Sequence, residues 1–216
     1  MDKLLKIKDI CFGFVKKEWQ SIFKPVAVLL AICIVISLAL SVTNAVTVEK
    51  ISALEEQKKA ETMSSLVKAD KFEEKSFKEE FNYFVAIKNK KEIAYIYTTA
   101  AKGYGGDVSV MTAIDADGKV IEVAILDVSG ETPGLGQNVA NKTFYSQFAK
   151  KVKDVVLVKN GAESEKNQIN AVTGATITSK AVTLAVNEAL DCNSKVLKEL
   201  KKAEKPKQEV TQGEEQ

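Results

Sequence analysis

The chain has 216 residues and carries 31 Lys+Arg against 29 Asp+Glu, and every one of the basic residues is Lys. A net charge of +2, with no Lys run interleaved with aromatic residues, leaves no electrostatic footprint for nucleic acid. The absence of His excludes Ser-His-Asp and Cys-His nucleophile systems and imidazole metal or haem sites; without Arg, an anion must be held by backbone N–H groups, hydroxyls or Lys.

From the N-terminus, the first event is Pro25 to Val48, 24 consecutive uncharged residues. About 20 such residues cross the hydrocarbon core as a helix, so the segment predicts a membrane span. It is too long for the apolar region of a cleaved signal peptide, which runs to about 7–15 residues. Residues 1–24 hold six Lys and three acids, a net of +3, whereas residues 49–216 hold 25 Lys and 26 acids, a net of −1. That asymmetry predicts a cytoplasmic N-terminal tail and an extracytoplasmic remainder. Trp19 and Phe23 are expected as interfacial anchors, and Leu4 to Phe14 as a short stretch lying along the inner surface.

After the span, residues 49–79 predict a neck, helical from Glu49 to about Lys75. Strand patterns follow: Asn82–Ile87 and Ile93–Thr99 flank an Asn89-Lys90 turn, and Val108–Ile114 and Val120–Leu126 flank Asp115-Ala-Asp-Gly118. Asn141–Lys151 reads as a helix with Phe144 and Phe148 four apart, Asp154–Val158 as a strand and Thr176–Lys202 as a long helix. On the latter, Ala181, Ala185, Ala189, Cys192, Val196 and Leu200 recur at helical spacing and predict one buried stripe. Residues 203–216 offer little to bury and are expected to be disordered. The fold class is therefore α+β, with antiparallel hairpins and a long C-terminal helix in one domain over residues 80–202. Cys11, Cys33 and Cys192 fall in tail, span and domain, which predicts neither an internal disulfide nor a metal-binding Cys pattern.

Three glycine-bearing segments stand apart: Gly103-Tyr-Gly-Gly106, Glu131-Thr-Pro-Gly-Leu-Gly136 and Val172-Thr-Gly-Ala-Thr-Ile-Thr-Ser179. None continues into a dinucleotide or P-loop fingerprint. The third runs from a turn at Gly174 into the first turn of the long helix, where unpaired N–H donors and a partial positive charge suit a phosphate. Hydroxyls of Thr173, Thr176, Thr178 and Ser179 and the charge of Lys180 would add to it. On spacing alone an N-cap by Thr173 or Thr176 is the simpler reading, and a phosphate cradle the alternative.

The order of these segments, Gly-Tyr-Gly-Gly, an Asp-Gly hairpin, Glu-Thr-Pro-Gly-Leu-Gly, a Phe-bearing helix, then Ala-Val-Thr-Gly-Ala-Thr-Ile-Thr-Ser-Lys-Ala-Val, resembles the covalent FMN-binding domain family. With a single span in front, the chain is similar to the G subunits of the Rnf ion-translocating ferredoxin:NAD oxidoreductases, and to their relatives, the C subunits of the sodium-pumping NADH:quinone reductases. The resemblance implies FMN esterified through its phosphate to Thr176 by a flavin transferase. It further implies a phosphate cradle from Thr173, Gly174, Ala175, Thr178, Ser179 and Lys180, and a loop of Glu131, Thr132, Pro133, Gly134, Leu135 and Gly136 beside the isoalloxazine ring. Two positions depart from the family pattern: Asn170 stands where an Asp is usual, and Ser129 where a His is frequent.

The function so implied is that of a membrane-anchored electron carrier, with no metal and no catalytic residue of its own. It would work with the membrane, iron–sulfur and flavin subunits of a complex that moves Na⁺ or H⁺. A quinone-reductase subunit, and an anchored scaffold domain without flavin, are the alternatives.

Overall fold

The computed structural model describes the backbone of residues 2–159 and 167–211, and the side chains of 23–48, 50–159 and 167–202. It divides into two compact units, Met1–Gln57 and Lys58–Gln216. In the first, the backbone lies in α1 (Asp2–Leu66), and Pro25 is accommodated within it. The uncharged stretch from Pro25 to Val48 is about 36 Å long at 1.5 Å per residue, enough for a hydrocarbon core of about 30 Å. Its apolar side chains point outward, with Leu29 and Leu40 each 65% exposed. The hydroxyls of Thr43 and Thr47 donate to the carbonyls of Ala39 and Thr43, at 2.8 and 2.7 Å, so neither is left unpaired in an apolar surround. Among the described residues this is the one helix long and apolar enough to cross a membrane. The roles expected of Trp19 and of the Leu4–Phe14 stretch concern side chains outside those described.

The second unit is built on an antiparallel meander in the order β1-β2-β3-β4-β5: β1 (Lys71–Phe77), β2 (Phe81–Lys88), β3 (Lys91–Lys102), β4 (Asp107–Ile114) and β5 (Val120–Asp127). Both turns read from sequence are present. Asn89 and Lys90 take φ of 52° and 62°, the paired positive values of a tight hairpin turn. Asp115 accepts the amides of Asp117 and Lys119 at 2.9 and 2.8 Å and so shapes the second loop.

Four expectations change. The helix read to about Lys75 ends at Leu66, and Lys71–Phe77 forms β1, an edge strand whose Lys and Glu residues resist further pairing. The helix expected over Asn141–Lys151 shrinks to α2 (Lys142–Tyr145) and a 3₁₀ turn at Ser146–Phe148. Past it the chain pairs with Val120, where Lys150 donates to the Val120 carbonyl at 2.7 Å and Val120 to the Lys151 carbonyl at 2.9 Å. A short parallel pair joins β6 (Val156–Val158) to β7 (Gln168–Asn170), the latter unforeseen. Finally, α3 (Thr176–Thr211) passes Lys202 and runs into the segment expected to be disordered; residues 212–216 lie outside the described residues.

One face of the sheet carries Tyr95, Tyr97, Val108, Val110 and Ile114 and packs on α3 through Ala181, Val182, Ala185, Val186 and Ala189, all at most 5% exposed. The small side chains let helix and sheet approach closely, and Thr99 donates to the Ala185 carbonyl at 2.9 Å. Leu200, expected on the same stripe, is 37% exposed, so the buried stripe ends at Val196. Ile96, Met111 and Ala113 on the opposite face are covered by Met63, Leu66 and Val67. Each fully buried Val or Ile contributes about 1.5–3 kcal/mol. Within this frame Asn187 exchanges two 2.9 Å hydrogen bonds with the backbone of Val155, which fixes the approach to β6 against α3.

Candidate functional site

The three glycine-bearing segments meet at one end of the sheet. The β3–β4 loop closes on itself through Gly103 N–H donating to the Gly106 carbonyl at 2.8 Å, and it lifts Tyr104 into solvent at 72% exposure. After β5 the chain turns at Val128–Glu131, with Glu131 N–H donating to Val128 C=O at 3.0 Å, and delivers the Glu131 side chain inward. Gly174, at φ +77°, takes a backbone conformation open to glycine and sets the direction in which α3 leaves.

These segments enclose a cleft of about 490 Å³ lined by Tyr104, Glu131, Thr132, Leu135, Gly136 and residues 174–178, a volume typical of small-ligand sites. Of the residues implied by the resemblance, Glu131, Thr132, Leu135, Gly136, Gly174, Ala175, Thr176 and Thr178 line it. Pro133, Gly134, Ser179 and Lys180 do not. Lys180 is exposed, and the buried Ser179 hydroxyl instead accepts the Val172 amide at 3.0 Å, closing the loop that precedes α3. Thr173 turns to a neighbouring cleft of about 420 Å³ that it shares with Gln147 and Asn170. Sequence reasoning does not single out Tyr104 and Ile177 as lining residues; an aromatic side chain set among three glycines is the available signal for the first.

Neither Thr173 nor Thr176 caps α3 through its hydroxyl, which corrects the simpler reading. Among the described residues neither hydroxyl has a hydrogen-bond partner, and the amides of Thr176, Ile177 and Thr178 find no acceptor. The cleft thus presents, on one wall, a free hydroxyl and a set of unpaired N–H groups at a helix start, a donor set that fits a phosphate monoester or diester.

Beside the start of α3 the cleft is organised by Glu131, 2% exposed. Its Oε1 accepts the amides of Tyr104 at 2.8 Å and Gly105 at 3.1 Å, and its Oε2 accepts the Thr178 hydroxyl at 2.6 Å. Burial pushes this carboxyl's pKa upward, but the Thr178 hydroxyl and the amides of Gly105, Tyr104 and Gly106 stabilise the anion and outweigh it. The group is held below its ordinary value of 4.5. A depressed folded-state pKa contributes stability that is present above the ordinary carboxylate range and lost as pH falls through it. Glu131→Gln is therefore expected to be less stable than wild type by on the order of 1.5 kcal/mol at pH 7, with the gap narrowing as the pH falls below 4.5; thermal melts of both proteins across that range check this.

Asn170, on β7, binds through its backbone: its N–H donates to Gln147 Oε1 at 2.8 Å, and Gln147 Nε2 donates to its carbonyl at 3.3 Å. Its Oδ1 is buried with no partner. A carboxylate at that spot would be a buried charge lacking donors, so the neutral amide suits the site better than the Asp usual in the family pattern.

Comparison with known proteins follows the same segments. The family described as FMN-binding domain matches residues 103–191, from the Tyr104 loop to well within α3. The G subunit of the proton-translocating ferredoxin:NAD(+) oxidoreductase complex of Clostridium ljungdahlii is 38% identical over 176 residues, 81% of this chain and 93% of that protein. Its counterpart in the Na(+)-translocating complex of Acetobacterium woodii is 33% identical over 196 residues, 82% and 93% of the two chains. Among solved structures, Shewanella oneidensis NqrC is similar with a TM-score of 0.49 at 24% identity, over 54% of this chain and 60% of that one.

Proposed function

The chain belongs to the family of G subunits of ion-translocating ferredoxin:NAD(+) oxidoreductase complexes, and from that premise we propose that it is a membrane-anchored electron carrier whose FMN is esterified through its phosphate to Thr176. The observation that carries this reading is the pairing of an unpartnered Thr176 hydroxyl with unpaired amides of Thr176, Ile177 and Thr178 in the wall of the cleft. FMN, when bound, supplies one- and two-electron transfer, and the chain supplies position and electrostatics.

The residues divide the work. Gly174 and Ala175 bring the backbone close to the phosphate position, and the start of α3 offers it N–H donors. Tyr104, Leu135 and Ile177, exposed at 72, 47 and 54%, give the mouth of the cleft an apolar rim for a ring system. Glu131 keeps the loop before β4 and the first turn of α3 in register. Electrons reach and leave the carrier through other subunits of the complex, so the chain has no turnover of its own. Both relatives are named for ferredoxin:NAD(+) complexes, which favours that setting over a quinone reductase. A flavin transferase would install the cofactor. The test is production of the full chain with its native transferase, followed by denaturing electrophoresis. A fluorescent band retained after denaturation is expected, whereas a dark band despite active transferase overturns the carrier reading in favour of a scaffold domain.

The same reading puts the tail (residues 1–24) in the cytoplasm and the Lys58–Gln216 unit outside it. With Cys11, Cys33 and Cys192 replaced by Ser, a Cys introduced at Thr211 is expected to react with an impermeant thiol reagent on intact spheroplasts. Labelling only after lysis overturns the orientation.

A further inference from the structure

Among the described residues Glu131 is the one carboxylate lining the cleft, it is 2% exposed, and it forms no ion pair. The groups that stabilise it are all neutral: the hydrogen-bonded Tyr104 and Gly105 amides, the nearby Gly106 amide and the Thr178 hydroxyl. They satisfy its lone pairs yet leave a whole negative charge in the wall. The side chain is also wedged. A Cβ on Gly103 would stand 2.2 Å from Oε1, and one on Gly136 2.6 Å from Oε2, so hydrogen atoms are all that fits beside the carboxylate on either side. These close glycines and its three hydrogen bonds hold the carboxylate in the cleft wall. A neutral amide of the same shape could hold the Tyr104 and Gly105 amides, so geometry by itself does not call for a charge here.

We propose that Glu131 is a potential-tuning residue: its fixed, unpaired negative charge in the cleft wall opposes electron uptake by the flavin and holds the flavin's midpoint potential low. The inference rests on the reading of this cleft as the FMN site. Electron uptake that proton uptake did not match would leave added negative charge on the cofactor, and a like charge nearby in a poorly solvated wall would make such anionic reduced forms less favourable. The carboxylate is ionised at neutral pH, because its donors outweigh the effect of burial. The Thr178 hydroxyl, the shortest of its contacts, partly offsets the charge, so Thr178 acts on the potential in the opposite sense through Glu131.

The experiment is a spectroelectrochemical titration at pH 7 of the full flavin-loaded chain in four forms: wild type, Glu131→Gln, Glu131→Asp and Thr178→Ala, each with its melting temperature recorded. Loss of the charge in Glu131→Gln should move the midpoint potential up. Glu131→Asp keeps the charge and should stay nearer wild type, although the shorter side chain lowers the melting temperature. Thr178→Ala removes a donor while keeping the carboxylate, and should move the potential down. A role confined to packing would lower the melting temperatures without this opposition of sign. An unchanged or lowered potential in Glu131→Gln overturns the inference; should that variant fail to fold, an unchanged or raised potential in Thr178→Ala does so. Flavin attached in every form with one common potential refutes the tuning role alone, whereas a wild type that never carries flavin refutes the site reading and this inference together.

Discussion

Thr176→Ala is expected to abolish flavin attachment completely while leaving the domain folded. The hydroxyl is the only nucleophile that the start of α3 exposes to the cleft without an existing partner, so its removal takes away the atom to which phosphorus would bond. Nothing else is lost, since that hydroxyl holds no structural hydrogen bond and Ala is favoured over Thr in a helix by a few tenths of a kcal/mol. Thr176→Ser keeps the hydroxyl and should retain part of the adduct. Thr178→Ala should retain all of it, because the Thr178 hydroxyl already donates to Glu131 at 2.6 Å and is 1% exposed. In-gel fluorescence, with mass spectrometry of the tryptic peptide ending at Lys180, reads each variant. A fluorescent Thr176→Ala protein, or an adduct mapped to Thr173 or Thr178, removes Thr176 from the mechanism.

Gly105→Ala is expected to be among the most destabilising single-methyl changes in the domain, costing about 3 kcal/mol. A Cβ there would lie 2.0 Å from the Gly130 carbonyl oxygen, and that neighbour is backbone, not the yielding tip of a side chain. The two loops would have to part, taking the Gly105 amide from Glu131 and displacing Tyr104 from the mouth of the cleft. Chemical denaturation should show a lower midpoint with an unchanged slope, and the variant should take up flavin poorly although Thr176 is intact. A midpoint within about 0.5 kcal/mol of wild type would mean that the two loops do not meet as closely as the structure has them.

Much of this was legible in the sequence, and the rest was hidden for definite reasons. The two hairpins announced themselves through Asn89-Lys90 and Asp115–Gly118, because tight turns depend on a few local residues. The start of α3 at Thr176 was equally local. β1 was not legible: its sequence, Lys71-Phe-Glu-Glu-Lys-Ser-Phe77, has the charge of a solvated helix, and only its pairing with β2 makes it a strand. The Phe144 and Phe148 rings do meet, edge to face with centroids 5.8 Å apart, so the spacing was informative even though the backbone between them is part 3₁₀. At the site, the Thr-Gly-Ala-Thr segment and the Glu-Thr-Pro-Gly-Leu-Gly loop could be marked separately. That Glu131 reaches Thr178, 47 residues on, and Tyr104, 27 residues back, is a long-range fact that no spacing rule contains.

The sheet order follows the chain order throughout, so β1 to β5 can assemble by successive neighbour pairing. The cleft cannot. Its walls come from the β3–β4 loop, from the turn after β5 and from α3, and the last of these is also the last to leave the ribosome. The carboxylate of Glu131 can recruit the Tyr104 and Gly105 amides early, but its third donor arrives only when α3 settles on β3 and β4. A partially made chain would thus own a sheet and half a site. The packing of α3 on the sheet is what carries Thr176 into the cleft that Glu131 also lines, so the helix that covers the sheet face is the element that completes the cleft.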